Sequence, residues 1–359
     1  MKLVERYAHQ PGSHCESGTV RNLLRHAGVE VSEPMVFALG SGPAFYYLFF
    51  LKGPSTFPLV ALRNTPGSIF KRVSKLCGVE LYFKQFSSAR KAMRKADKLI
   101  DRGVPVAAQV EMFRMKYLPD PMRVRAPFHF VALVGRDAER YAVSDPYHLS
   151  VNELERADLE AAWETHAPMA KDNLLVYVRK VPARIDWRRA AIEAMRQTCS
   201  TMLLPPGVDR LFFFVGVQGM RTFARQMRRW PARYRGVRLR EGILFHAVGF
   251  EDQGTGGGAF RLMYGAFLQE AAELLRSPAL GELANRFIAH GKDWRKASRA
   301  FVELARPIPL EDGQYDAWHA EHSRELQAAL DGLAERFLGF ADFEADFFRD
   351  LRKALSGLR

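Results

Sequence analysis

The hydrophobic positions in the first half of the chain switch repeatedly between helical and strand-like spacing. Apolar residues recur on one helix face over residues 15–27, 69–77 and 87–102, and the last two stretches are each followed by a glycine, a common helix stop signal. Apolar runs rich in β-branched and aromatic residues lie among and after these helices. These runs predict strands over residues 79–86, 104–113, 128–135, 140–143 and 174–179.

Beyond Pro182 the pattern changes, because segments of helix length dominate. Glycine- and proline-rich breaks interrupt them at residues 205–207 and in a glycine-rich loop at residues 254–258. The predicted helices cover residues 186–203, 219–230, 260–275, 282–290, 294–304 and 314–355. We therefore predict an α+β first domain over residues 1–182 and a mostly α-helical second domain over residues 183–359.

The composition is that of a globular protein, with 48% hydrophobic and 26% charged residues among 359. The chain starts without a secretory pattern, and the apolar stretch at residues 44–51 is too short to span a bilayer. We therefore expect a cytoplasmic protein with no membrane span.

The three cysteines are widely spaced and form no Cys-x-x-Cys pair, which argues against a disulfide framework and against a structural zinc site. We expect no metal. Cys77 and Cys199 lie on apolar helix faces and are expected to be buried. Four histidines lack compact ligand spacing and are expected at the surface: His246, His290, His319 and His322.

The net charge of +13 is unevenly distributed. Residues 311–359 contain 11 acidic and 6 basic residues, so the excess of positive charge lies in the first 310 residues. A basic stretch at residues 221–240 contains eight arginines, and a second basic segment covers residues 90–98. Such charges suggest an acidic partner. Because no nucleic-acid-binding motif accompanies the arginines, we expect an acidic protein rather than nucleic acid, with solvated helix faces as the alternative.

Cys15 stands at the predicted start of the first helix, where backbone N–H groups and the helix dipole favour a thiolate. A thiolate nucleophile needs an imidazole as its base and a third group to orient the ring. His129 begins an apolar strand, and Asp145 ends the strand that follows. Because a hairpin brings these strand ends together, His129 and Asp145 are predicted neighbours. The order Cys15, His129, Asp145 is that of papain-like cysteine enzymes, although each residue alone also fits a structural role.

Three segments of the chain resemble the butirosin-biosynthesis BtrH acyltransferase family. The similarity to its N-terminal domain lies in GSHCESGTVRNLLRHAGVEVSEPMVFALGSGPAFYY and HFVALVGRD…YAVSDPY, and the similarity to its second domain lies in EDQGTGGGAFRLMYGAFLQEAAELL. Together they run from about Gly12 to Leu275. The resemblance implies a papain-like, bacteriocin-peptidase-like domain that acts as an acyltransferase. In it, Cys15 would be the nucleophile, His129 the base and Asp145 the residue that orients the base.

The resemblance also implies the substrates. Members of the family take an acyl group from the phosphopantetheine thioester of an acyl carrier protein and pass it to an amine. An acidic carrier protein and a small-molecule acceptor, an amine or a hydroxyl, are therefore the expected partners. Phosphopantetheine would enter as part of the substrate, and no bound cofactor is expected. Two alternatives remain: a cysteine hydrolase with the same three residues, and a non-catalytic scaffold that binds an acidic protein.

Two further features are assigned by position. Gln10 precedes Cys15 by five residues, and papain-like enzymes often place an oxyanion-hole glutamine shortly before the cysteine. Gln10 is therefore a candidate oxyanion donor beside the Cys15 N–H, or else an exposed loop residue. The glycine-rich loop lacks the lysine of a phosphate-binding loop. It is expected either to be a tight connection without a ligand or to shape an acyl or pantetheine channel through Gly256, Gly257, Gly258, Arg261 and Tyr264.

Overall fold

The structure is a computed structural model that describes residues 1–40, 42–52, 57–166, 170–205 and 214–358. In chain order the strands are β1 (Lys2–Leu3), β2 (Tyr46–Lys52), β3 (Pro58–Ala61), β4 (Glu80–Gln85), β5 (Val106–Val110), β6 (His129–Arg136), β7 (Arg140–Ser144), β8 (Asn152–Glu155), β9 (Leu174–Lys180) and β10 (Phe214–Val215). The α-helices are α1 (Cys15–His26), α2 (Glu33–Leu39), α3 (Ser68–Cys77), α4 (Ala89–Ile100), α5 (Arg156–Trp163), α6 (Trp187–Met202), α7 (Gly216–Met227), α8 (Trp230–Arg233), α9 (Gly236–Glu251), α10 (Arg261–Leu275), α11 (Pro278–Ala305) and α12 (Asp312–Ser356).

The chain divides into two compact units that do not follow the order of the sequence. The first comprises Met1–Gly40 and Thr65–Ala190, and the second comprises Ser41–Asn64 and Ala191–Arg359. The predicted boundary at residue 182 therefore differs from the structure, because the first unit continues to Ala190 and residues 41–64 belong to the second unit. These residues belong to the second unit because they carry β2 and β3, and β2 pairs with β10.

The first unit is built around an antiparallel sheet with the strand order β4–β9–β5–β6–β7–β8, and β1 also pairs with β6. Strands β6 and β7 form the predicted hairpin, with Leu133 opposite Val143. Val110, the last residue of β5, lies opposite His129, the first residue of β6. This register brings the end of β5, the start of β6 and the residues after β7 to one end of the sheet.

Successive side chains of a strand point to opposite faces of a sheet. Helices cover both faces of this sheet. On one face Val131 and Leu133 belong to an apolar cluster with residues of α4 and α5. On the other face Phe130 packs against Phe70 of α3, with ring centroids 5.4 Å apart, and the Thr19 hydroxyl of α1 donates to the Phe130 carbonyl oxygen at 3.1 Å. The prediction of an α+β fold with an N-terminal helix on an antiparallel sheet is confirmed.

The second unit combines the small antiparallel sheet β10–β2–β3 with helices α7 to α12. Buried aromatic rings form its core. Phe223 lies 5.7 Å from Trp230, 6.0 Å from Phe250 and 5.3 Å from Phe337, measured between ring centroids. Large aromatic side chains remove much apolar surface from water and so dominate the stability of such a bundle. No helix within the described part of the chain is both long enough and apolar enough to cross a membrane.

Two features of the second unit differ from the sequence prediction. The helices predicted at residues 282–290 and 294–304 are one continuous helix, α11. Gly291, near the expected break, instead allows close packing, because a Cβ atom there would lie 2.8 Å from Leu262 Cδ2 and 3.1 Å from the Leu262 amide nitrogen. Helix α9 was not predicted. Residues 206 and 207 of the predicted break at 205–207 lie outside the described residues.

Candidate active site

Cys15 is the first residue of α1, as predicted, and the residue before it caps the helix. His14 Nδ1 accepts a hydrogen bond from the Ser17 amide at 3.3 Å. The N–H at the first position of a helix has no acceptor within the helix, and the positive end of the helix dipole lies there. The Cys15 amide therefore has the position of an oxyanion donor next to the sulfur.

The buried carboxylate of Glu33, at the start of α2, braces the loop before the nucleophile. Its Oε2 accepts from the Ser13 amide and its Oε1 from the His14 amide, both at 2.9 Å. Oε1 also accepts from the Ser17 hydroxyl at 3.0 Å, and Arg21 Nη1 lies 3.7 Å from Oε2. Glu33 thus fixes the backbone on the N-terminal side of the cysteine. Sequence reasoning missed it, because nothing local distinguishes it from an ordinary acid in the first turn of a helix.

His129 lies between Cys15 and Asp145. Its Nε2 is 2.8 Å from Asp145 Oδ2, and both side chains are buried. The Cys15 side chain is near enough to His129 to raise the pKa of the imidazole. Because Nε2 faces the carboxylate, Nδ1 is the ring nitrogen left for the sulfur. The Cys15 Sγ atom also lies 3.9 Å from the Phe128 carbonyl oxygen. The structure therefore brings the three predicted catalytic residues together.

Asp145 is held by more than the histidine. The Tyr117 hydroxyl donates to the same Oδ2 atom at 2.8 Å, and the Tyr147 amide donates to Oδ1 at 3.0 Å. The Tyr147 ring lies 5.0 Å from the His129 ring, between centroids. Both tyrosines were missed by sequence reasoning; Tyr117 lies in a segment without hydrophobic periodicity, 28 residues before the carboxylate it contacts.

The electrostatics of the site favour a charged pair. Burial by itself lowers the pKa of His129, but the charge and hydrogen bond of Asp145 and the nearby Cys15 side chain outweigh it and raise the pKa to about 10. Burial by itself raises the pKa of Asp145, yet the charge and hydrogen bond of His129 lower it overall. Burial and the adjacent Asp145 charge raise the pKa of Tyr117, which keeps its phenol protonated.

Gln10 does not lie at the oxyanion position. Its carbonyl oxygen accepts hydrogen bonds from Asn22 Nδ2 at 2.9 Å and Arg21 Nη2 at 2.6 Å, and its side-chain oxygen lies 3.4 Å from Arg25 Nη1. Asn22 is seven residues after Cys15, which is about 10 Å along the helix. The role predicted for Gln10 is therefore wrong, because the loop runs back along α1 and leaves this side chain exposed.

The glycine-rich loop lies in the second unit, and two of its amides are occupied by side chains of the same segment. Thr255 Oγ1 accepts from the Gly257 amide and Glu251 Oε2 from the Gly258 amide, each at 3.1 Å. Residues 256–260 all have positive φ values, between 53° and 83°. Glycine adopts such values without strain, which explains the glycine run. The contacts described are those of a packed connection, and its part in a substrate channel stays a prediction.

Arg261 and Tyr264 are buried within the second unit. The Arg261 guanidinium donates to both carboxylate oxygens of Glu344, at 2.9 and 3.0 Å, and lies 4.3 Å from the centre of the Trp294 ring. His290 Nε2 is 2.9 Å from Glu344 Oε1. Burial raises the pKa of Glu344, but the charge of Arg261 outweighs it and lowers the pKa to about 2. Arg261 therefore neutralises a buried carboxylate, and its predicted contact with substrate stays a prediction.

The basic stretch at residues 221–240 is partly neutralised inside the second unit. Three of its arginines form ion pairs with acids of α12: Arg221 with Asp342, Arg228 with Glu335 and Arg235 with Asp316. The acidic C-terminal segment and the arginine-rich stretch, distant in sequence, therefore bind each other. These three arginines therefore do not support the expectation that this stretch docks an acidic partner.

The remaining cysteines and histidines lie apart from the triad. Cys77 and Cys199 are buried as predicted, and burial raises the pKa of both thiols to about 12. His246 and His290 are buried, so the prediction that they lie at the surface is wrong; both belong to aromatic cores. Over the described ranges, no group of three or more histidine, cysteine, aspartate or glutamate side chains could hold a metal ion.

Comparisons with known proteins cover most of the chain. The family described as butirosin biosynthesis protein H, N-terminal, matches residues 14–146, and a domain of unknown function, DUF4872, matches residues 157–350. No curated protein matches the chain. A crystal structure described as a C39-like peptidase from Bacillus anthracis shares 16% sequence identity at a TM-score of 0.35, over 51% of this chain and 100% of that chain.

Each of the two family matches contains a different set of the features described above. The first contains Cys15, His129 and Asp145, and the second contains the glycine-rich loop and most of α12. The second match alone spans more than half of the chain. The chain therefore belongs to the DUF4872 family and carries, ahead of that domain, the N-terminal domain of the butirosin biosynthesis protein H family, as its motifs imply.

Proposed function

We propose that the protein is a cysteine acyltransferase that holds an acyl group on Cys15 between a carrier-protein thioester and an amine acceptor. One observation carries this proposal: a cysteine at a helix start lies beside the buried, hydrogen-bonded pair of His129 and Asp145. The description of the matching family refers to butirosin biosynthesis, which supports a biosynthetic transfer rather than protein breakdown. The resemblance of the motifs supports an acyl carrier protein as the donor.

In the first half-reaction the Cys15 thiolate attacks the thioester carbonyl. The oxyanion that forms accepts a hydrogen bond from the backbone N–H of Cys15. The bond from the carbonyl carbon to the pantetheine sulfur then breaks, and the departing thiolate takes the proton of the His129 imidazolium. The products are acyl-Cys15, neutral His129 and the free pantetheine thiol. One thioester replaces another, so the exchange is close to even in free energy.

In the second half-reaction an amine attacks the acyl-Cys15 carbonyl, and neutral His129 accepts its proton. The carbon–sulfur bond breaks, and the Cys15 thiolate leaves beside the restored imidazolium. Asp145 stabilises that imidazolium and holds the ring through Nε2. The conversion of a thioester to an amide is downhill, so the cycle needs no nucleotide.

The same three residues also suit a hydrolase, in which water takes the place of the amine. The two activities differ in what discharges acyl-Cys15, and this difference decides the experiment. The protein is mixed with an acylated carrier protein, and its intact mass is followed with and without amines. Cys15→Ala removes the proposed nucleophile. Cys77→Ala is the matched control, because Cys77 is also buried but lies at the end of α3.

We expect a mass gain of one acyl group in the wild-type protein and in Cys77→Ala, none in Cys15→Ala, and faster discharge by amines than by buffer. Discharge at the same rate in buffer alone would show a thioesterase. No acylation by a carrier-bound or a small thioester, in a folded protein, would overturn the proposal and favour a scaffold that binds an acidic protein.

A further inference from the structure

The connection between β5 and β6, residues 111–127, borders the active site at both of its ends. Val110, just before it, lies opposite His129 in the sheet. Tyr117, within it, donates to Asp145. Phe128, just after it, places its carbonyl oxygen 3.9 Å from the Cys15 sulfur. The β5–β6 connection therefore lies next to Cys15, His129 and Asp145.

Apolar side chains are exposed on this connection. Phe113 and Met122 are each 38% exposed and Val124 is 48% exposed. Leu149, four residues after Asp145, is 89% exposed. The other large apolar side chains that the structure describes as exposed in the first unit stand at chain positions 1 and 3. Phe113, Met122 and Val124 lie on one short connection, and exposed apolar groups close together on a protein surface mark a binding surface.

The same surface carries positive charge that the described residues leave uncompensated. The connection contains four basic residues against Glu111 and Asp120. Two of them have acidic partners: Lys116 pairs with Asp158, and Arg123 with Asp120. The other two, Arg114 and Arg125, lie over the ring of Phe113, with guanidinium carbons 5.8 and 5.0 Å from its centroid. Within the described part of the chain, neither has a carboxylate partner.

We propose that Phe113, Arg114, Met122, Val124 and Arg125 form the docking surface for the acidic carrier protein, an inference that rests on the proposed function. Aromatic residues and arginine are enriched in interfaces, and a positive patch steers an acidic partner toward it. Arg125 is three residues from Phe128, so their Cα atoms are at most about 11 Å apart. A thioester on the flexible arm of a partner seated here starts close to Cys15.

The test compares two substrates in two matched charge-reversal variants. The first variant is Arg114→Glu with Arg125→Glu. The control is Lys2→Glu with Arg102→Glu, which makes the same change of charge on exposed residues. Lys2 lies opposite Arg136, and Arg102 follows Asp101, which binds Arg136. Arg136 is the last residue of β6, about 23 Å along the strand from His129. Each protein is acylated with the carrier-bound thioester and with a small thioester of the same acyl group.

We expect Arg114→Glu/Arg125→Glu to raise KM for the carrier-bound thioester at least tenfold at low salt and to change acylation by the small thioester less than twofold. The control should change neither. Phe113→Ala should raise KM for the carrier at high salt as well, because apolar contacts are not screened.

Equal effects on the two substrates, or equal effects of the two charge variants, would overturn the docking surface while leaving the acyltransferase proposal standing. If neither the carrier-bound nor the small thioester acylates Cys15 in the wild-type protein, the proposed function fails first and the docking surface with it. The two failures therefore give different results.

Discussion

The amide of Gly12 donates a hydrogen bond to the carbonyl oxygen of Pro146 at 2.7 Å. This contact joins the loop that leads to Cys15 with the residue that follows Asp145. Gly18, in the first turns of α1, lies against the ring of the same proline. The nucleophile and the orienting carboxylate are therefore held together by backbone and packing contacts as well as through His129.

Gly18→Ala tests that packing. A Cβ atom at this position would lie 2.7 Å from the Cβ atom of Pro146, which is shorter than packed atoms allow. Alanine favours a helix over glycine by about 1 kcal/mol, but overpacking costs about 1–3 kcal/mol. We expect net destabilisation in chemical unfolding and slower acylation of Cys15, because Pro146 moves together with Asp145.

Gly332→Ala is the control, since it lies within α12 and the described residues place nothing within 4 Å of its Cβ position. That substitution should stabilise the protein by about 0.5–1 kcal/mol. If Gly18→Ala were also stabilising and fully active, the packing of Pro146 would not position the site.

Tyr117→Phe removes one donor from Asp145. A hydrogen bond to a charged group contributes about 1.5–3 kcal/mol, so we expect the rate of Cys15 acylation to fall about tenfold or more. The carboxylate loses a competing donor and binds the imidazolium more strongly, so the alkaline limb of the pH–rate profile should move upward. Tyr7→Phe is the matched control, because the Tyr7 hydroxyl donates to Ser144 at 2.9 Å and not to the carboxylate. A slower enzyme with an unmoved alkaline limb would mean that Tyr117 only supports the fold.

Glu33→Gln replaces the carboxylate that receives the Ser13 and His14 amides. The amide group of glutamine must direct its N–H donors at one of these backbone donors, so at least one hydrogen bond is lost. We expect a loss of about 2–3 kcal/mol in the free energy of unfolding and slower alkylation of Cys15. Glu30→Gln, at a largely exposed partner of Arg25, should change stability by about 0.5 kcal/mol or less. Similar losses in both variants would argue against a special role for Glu33.

Stability should depend on pH on both sides of neutrality. Burial lowers the pKa of His246 to about 4, so the unfolded chain binds a proton there first, and stability falls as the pH drops from about 6.5 toward 4. The raised pKa of His129 has the opposite sign: its contribution is complete below about pH 6.5 and is lost as the pH rises toward 10.

Chemical unfolding at a series of pH values measures both limbs. His246→Phe should flatten the acid limb, which is worth up to about 3 kcal/mol, and His129→Gln should flatten the alkaline one. An acid limb unchanged in His246→Phe would assign it to other groups.

The proximity of Cys15, His129 and Asp145 was predictable because its signals are local. A hairpin fixes which residues stand at its open end, so His129 and Asp145 follow from the alternation of the two strands and the length of the turn. The start of α1 at Cys15 follows from the apolar spacing of the helix. What completes the site is not local: Tyr117 and Glu33 reach it from segments whose paths no periodicity describes.

The same reason explains the errors. A spacing of five residues between Gln10 and Cys15 does not fix the direction of an irregular loop, and the loop turns back along α1. The arginines at residues 221–240 read as unpaired because their acidic partners come about 80 to 120 residues later. The burial of His246 was missed because rings that surround it, those of Phe223 and Trp230, belong to earlier segments of the chain.

The placement of residues 41–64 in the second unit sets a constraint on synthesis. Phe45 and Tyr47 are buried against Phe223, and β2 pairs with β10, so these residues leave the ribosome long before the chain that covers them. During that interval an aromatic hairpin is exposed, and such segments promote aggregation of nascent chains. A fragment ending at residue 182 would keep the hairpin permanently uncovered. A cut at residue 182 therefore keeps Cys15, His129 and Asp145 together but leaves β2 without its partner strand β10.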